Sequence, residues 1–96
     1  METSPQVTAS IQGPLLHVSV GGGWNIDTAW PPEAEAALKA LADQSIHELC
    51  LESDGLKTWD SSLLVFLVQL TKAAEDRKLR IQNHLPEGLE RLLKLA

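Results

Sequence analysis

Asp60-Ser61-Ser62-Leu63-Leu64-Val65-Phe66-Leu67-Val68-Gln69-Leu70, followed downstream by Leu79-Arg80-Ile81-Gln82-Asn83, is the stretch that decides the fold. Leu63, Phe66, Leu67, Leu70 and Ala74 recur at the three- and four-residue spacing that lines up one face of a helix. The spacing predicts a helix from Leu63 to about Arg77. Leu79 and Ile81 alternate with polar residues, which predicts a short strand. Upstream, Ser45 to Ser53 places Leu49 and Leu51 in a second strand, and Asp54-Gly55 reads as a turn after it. A strand, a helix and a strand in that order imply a right-handed crossover between parallel strands.

Working outward, Pro31-Pro32 opens an earlier helix, because proline is tolerated in the first turn. Glu33 and Glu35 suit the positive end of its dipole. Ala34, Ala37, Leu38 and Leu41 form its apolar face, mostly of alanine and able to lie close to a sheet. Nearer the start, Val7 to Ile11 and Leu15 to Val20 both alternate, and Gly13-Pro14 joins them as a hairpin. Gly21-Gly22-Gly23 reads as a break in the second strand. After the last strand, Pro86-Glu87-Gly88 starts a final helix with Leu89, Leu92, Leu93 and Ala96 on its apolar face. The expected fold is α/β: a mixed four- to five-stranded sheet, antiparallel at one edge, with about three helices packed against it. Residues 1–6 read as a flexible N-terminus and residues 7–96 as one domain. The sequence stops at Ala96 without a cap or a polar tail, which reads as a domain cut from a longer chain.

Composition narrows the function. With 96 residues, 44% of them hydrophobic, the chain is one small globular domain with little depth for an enclosed active site. The net charge of -5 argues against a general nucleic-acid binder, which needs a basic face for phosphates. The few basic side chains gather late: Lys72, Arg77, Lys78, Arg80, Arg91 and Lys94 follow residue 70, against Lys39 and Lys57 before it. One cysteine, Cys50, excludes an internal disulfide. The start, Met1 to Pro5, lacks the basic and apolar pattern of a signal peptide. The longest apolar run, Leu63 to Val68, falls far short of the ~20 residues that span a bilayer, so no direct membrane insertion is expected.

No motif carries an enzyme reading. Gly21-Gly22-Gly23 fits neither phosphate-loop pattern, so no cofactor is expected. His17, His47, His84 and Cys50 fall in separate segments without a metal-binding spacing, and read as surface or satisfied strand residues. Ser61 or Ser62 as a nucleophile would need a partnered base, and no Gly-x-Ser-x-Gly elbow surrounds them. Asp60-Ser61-Ser62 reads first as a helix cap. The same position favours a phosphate on an exposed serine, through the dipole and the free N–H groups. Leu64, Val65 and Val68 lie outside the main apolar stripe, and that surplus suits a covering partner. Trp24, Trp30 and Trp59 sit in loops, where they can cap the core or serve as binding anchors.

The run Thr58-Trp59-Asp60-Ser61-Ser62-Leu63-Leu64, the long helix, and the closing Leu85-Pro86-Glu87-Gly88-Leu89-Glu90-Arg91-Leu92-Leu93-Lys94-Leu95-Ala96 together resemble a STAS domain. The resemblance covers residues 7–96 in element order and is sharpest over residues 58–96. It looks closest to the STAS domain at the N-terminus of MlaE-like lipid ABC transporter permeases and to free-standing MlaB-like subunits. That resemblance implies a non-catalytic regulatory domain at the cytoplasmic face of the inner membrane. Its partners would be the permease and the ATPase subunit, the latter met by Trp59, Asp60, Ser61, Ser62, Leu64, Val65 and Val68. The chain is more distantly similar to anti-sigma factor antagonists, which carry Asp-Ser-Ser-Gly or Asp-Ser-Gly; Leu63 stands where that branch has glycine. This second branch implies Ser61 as the phosphoacceptor of an anti-sigma factor kinase.

Overall fold

A computed structural model describes residues 4–95. The elements run β1 (Pro5–Gln12), β2 (Leu15–Gly23), α1 (Pro32–Ala40), β3 (Glu48–Thr58), α2 (Ser61–Asp76), β4 (Arg80–His84) and α3 (Glu87–Leu95). They form the expected α/β fold, with a four-stranded sheet in the order β1-β2-β3-β4. β1 is antiparallel to β2, and β2, β3 and β4 are mutually parallel.

The helix arrangement follows from the connections. β2–α1–β3 and β3–α2–β4 both step in the same direction across the sheet. Two right-handed crossovers with the same step put their helices on the same face. Leu16, Val18 and Val20 of β2 and Leu49 and Leu51 of β3 point to that face and are buried. They share one core with Ala34, Ala37 and Leu41 at α1, with Leu63, Phe66, Leu67, Leu70 and Ala74 of α2, and with Leu89 and Leu93 of α3. Every residue of the predicted α2 stripe is fully buried. Side chains alternate along a strand, so the opposite face carries Ser10, His17, Glu48, Cys50, Arg80 and Gln82, in register across the four strands.

Several boundaries differ from the sequence reading. β1 starts at Pro5, so Pro5 and Gln6 are in the sheet rather than in a flexible tail. Met1 to Thr3 lie outside the described residues. The three glycines continue β2 rather than break it. A Cβ on Gly21 would collide with the Asp54 carbonyl of β3, and one on Gly22 with the Ser4 carbonyl, so the glycines let the backbones approach. Gly22 also has φ +73°, a left-handed conformation, and the β2–β3 register slips on either side of it. β3 likewise runs through Asp54-Gly55 to Thr58 instead of turning there.

α2 begins two residues before Leu63 because Asp60 caps it. It ends at Asp76, and the chain turns through Lys78 at φ 59° before β4 starts at Arg80 rather than Leu79. In α3 the burial falls on Leu89 and Leu93, one helical turn apart, while Leu92 stays exposed. Ala96, expected on the same face, lies outside the described residues. Among the described residues no helix is long and apolar enough to cross a membrane.

Candidate functional site

The sequence-predicted residues cluster where α2 begins. β3 delivers Thr58 to the end of the sheet, and Trp59 and Asp60 turn the chain into α2. Asp60 has extended backbone, as an N-cap residue should. One carboxylate oxygen accepts the Ser62 amide at 2.8 Å, satisfying a free donor of the first turn. The other accepts the Ile26 amide at 2.8 Å, from the loop that joins β2 to α1. A single side chain thus holds the helix start and the neighbouring loop together.

Ser62 reinforces the same junction. It is buried, at 8% exposure, and its hydroxyl accepts the Trp30 indole N–H at 3.1 Å. The Trp30 ring meets Phe66 of α2 edge-on, with centroids 5.4 Å apart. Trp24 stacks on the same Phe66 at 5.5 Å, and its indole N–H donates to the Gly21 carbonyl at 3.0 Å. Trp24 is fully enclosed and Trp59 packs half-buried on the core. The tryptophans therefore close the end of the core, and Trp24 is not available to a partner.

Above this scaffold the surface is open. Ser61 is exposed on the first turn of α2. Val65, one turn along, is 48% exposed, and Ile26 across the loop is 71% exposed. Ile26, Thr28, Ala29, Trp30, Ser61 and Val65 line a shallow depression of about 310 Å³ between the loop and the helix. Leu64 and Val68 are half-buried and pack against the core, so they offer less surface than their spacing implied. Of the predicted docking residues, Ser61 and Val65 face outward; Trp59, Asp60 and Ser62 chiefly build the platform. Sequence spacing missed Ile26; the available signal was a bulky apolar residue isolated among Asn25, Asp27 and Thr28.

The histidines and Cys50 meet differently from the sequence reading. The parallel β2–β3 register sets His17 beside Cys50, and Glu52 lies two residues further on the same face. His17 Nε2 and Glu52 Oε1 are 3.0 Å apart, and the Cys50 thiol lies 4.0 Å from the same carboxylate oxygen. The hydrogen bond from His17 holds the Glu52 carboxyl below its ordinary range, helped by the charges of His17 and His84. Burial, then the nearby Glu52 and Glu48 carboxylates, push the Cys50 thiol up. His47 is exposed just before β3 and outside this cluster. No family model matches the chain, and no curated protein matches it.

Proposed function

We propose that the chain is a non-catalytic regulatory domain of an MlaE-type lipid ABC transporter, docking on the ATPase subunit through the start of α2. The observation that carries the reading is the exposed Ser61–Val65–Ile26 surface on a fixed base. Asp60 anchors both sides of that base, and Trp30 and Ser62 brace it. A rigid platform keeps the ordering cost of association low, and exposed apolar side chains supply area to bury. The sequence resemblance suggests the kind of partner, and the exposed Ile26 and Val65 side chains support a docking surface at the start of α2.

The test is binding of the purified domain to its cognate ATPase subunit. Val65→Asp and Ser61→Glu each put charge on the platform without touching the core. Each is expected to weaken binding at least about tenfold, or roughly 1.4 kcal/mol. Leu64→Asp is a poorer probe, because Leu64 packs on the core. Unchanged affinity in both variants would sink the reading. The second reading, a phospho-switch antagonist, draws on one observation: the Ser61 hydroxyl is exposed at a helix N-terminus, where phosphate is stabilised. It requires phosphate on Ser61 after incubation with a cognate anti-sigma factor kinase, and its absence counts against it.

A further inference from the structure

We propose that His17, Cys50 and Glu52 form a site for a borderline-soft divalent transition metal, with zinc as the reference ion. The site lies on the sheet face that the helices leave uncovered, and it is independent of the docking surface at the start of α2. Its donors come from two adjacent, hydrogen-bonded strands. Cys50 is the register partner of His17, and Glu52 follows on the same face of β3. One imidazole nitrogen, the thiol sulfur and one carboxylate oxygen all lie within 4.8 Å of one another.

That spacing is close to what a tetrahedral ion needs. Zinc bonds of about 2.0–2.3 Å place neighbouring ligand atoms roughly 3.3–3.8 Å apart. The His17–Glu52 separation of 3.0 Å is slightly short and the Cys50–Glu52 separation of 4.0 Å slightly long. The His17–Cys50 donor separation is bounded at 4.8 Å, so binding would need the side chains to draw in around the ion. The donor set selects the ion. Thiolate and imidazole favour zinc and its neighbours, whereas magnesium and calcium want oxygen alone. One thiolate and one carboxylate balance the double positive charge, and the thiol proton leaves to solvent on binding. His17 and Glu52 are half-exposed, so water completes the coordination. Around the donors, Gln82 of β4 holds Glu48 at 3.0 Å, fixing the neighbouring carboxylate. The bound ion would pin β2 to β3 through side chains as well as backbone.

Cobalt titration of the full chain tests this. The expected result is a thiolate-to-cobalt charge-transfer band with the intense visible bands of a four-coordinate site, both displaced by zinc. Cys50→Ser is expected to abolish the charge-transfer band. His17→Ala and Glu52→Gln, both on the open face, are expected to weaken cobalt binding at least about tenfold. His47→Ala, outside the cluster, is expected to bind as the parent does. No charge-transfer band at millimolar cobalt would overturn the proposal. So would a band that persists in Cys50→Ser, or affinity unchanged in both His17→Ala and Glu52→Gln.

Discussion

Asp60 and Gly21 show how single residues set the geometry of the platform. The Asp60 carboxylate accepts two backbone N–H groups, one from the helix it caps and one from the Ile26 loop. Asp60→Ala removes the cap and orphans the loop amide. The expected loss is roughly 1–2 kcal/mol, read as a lower urea midpoint at unchanged m-value. Ser61→Ala beside it should change stability by less than about 0.5 kcal/mol. Equal midpoints for Asp60→Ala and the parent would contradict the bridging role. Gly21 acts through contact rather than hydrogen bonding. An added methyl group meets the Asp54 carbonyl, which belongs to backbone and cannot swing aside. Gly21→Ala should therefore cost about 1–3 kcal/mol. Gly88→Ala is the matched control. Nothing lies within 4 Å of its added Cβ, and its helical position gains up to about 1 kcal/mol from alanine. A neutral Gly21→Ala would show that β2 and β3 need no close approach there.

At the scale of elements, α2 was the most legible and the glycine-bearing strands the least. A buried helix writes its contacts into its own sequence, since Leu63, Phe66, Leu67, Leu70 and Ala74 repeat at its own period. Gly21-Gly22-Gly23 and Asp54-Gly55 look like local turn signals, yet Gly21 and Gly22 serve a non-local purpose, while Gly55 takes φ +69° in open space within a continuing strand. Backbones pass close at Gly21 and Gly22, and the register slips around Gly22. His17, Cys50 and Glu52 were hidden for the same reason: their meeting depends on the β2–β3 register, which no single segment encodes. The platform was half legible. Asp60 as cap and Ser61 as exposed serine follow from position, whereas Ser62 and Trp30 needed the loop placed against the helix.

The segment joining α1 to β3 yields a pH prediction at this same scale. The Ser45 amide and hydroxyl donate to the Asp43 carboxylate at 2.9 and 2.8 Å. These bonds, with the charge of Arg77, hold its carboxyl below the ordinary range. Arg77 also donates to the Leu41 and Asp43 carbonyls, so the end of α2 is tied to the end of α1. A carboxyl depressed in the folded state stabilises it at pH above the unfolded value, near about 4, and that contribution fades as pH falls through the folded pKa. The Tm gap between the parent and Asp43→Asn should thus be widest near neutrality and close in acid. A gap that is the same at both ends would contradict the assignment.

Across the whole molecule, the two faces of the sheet divide the labour. One face carries the helices and the core; the other carries a polar row that includes the proposed metal donors. The platform sits at the end of the sheet where β3 enters α2, closed beneath by Trp24, Trp30 and Phe66. The fold class was readable from the order of elements, because crossover handedness leaves little choice, whereas the single helix-bearing face follows only from the strand order β1-β2-β3-β4. The proposed partner rests on family resemblance and not on physics, so the footprint of binding is what tests it. Amide chemical-shift mapping of the labelled domain, titrated with the cognate ATPase subunit, measures that footprint directly. The largest perturbations are expected at Ile26, Thr28, Ser61 and Val65, with Ser10, His17 and Gln82 on the open sheet face unmoved. Perturbations centred on the open sheet face or on α3, with the start of α2 silent, would contradict it.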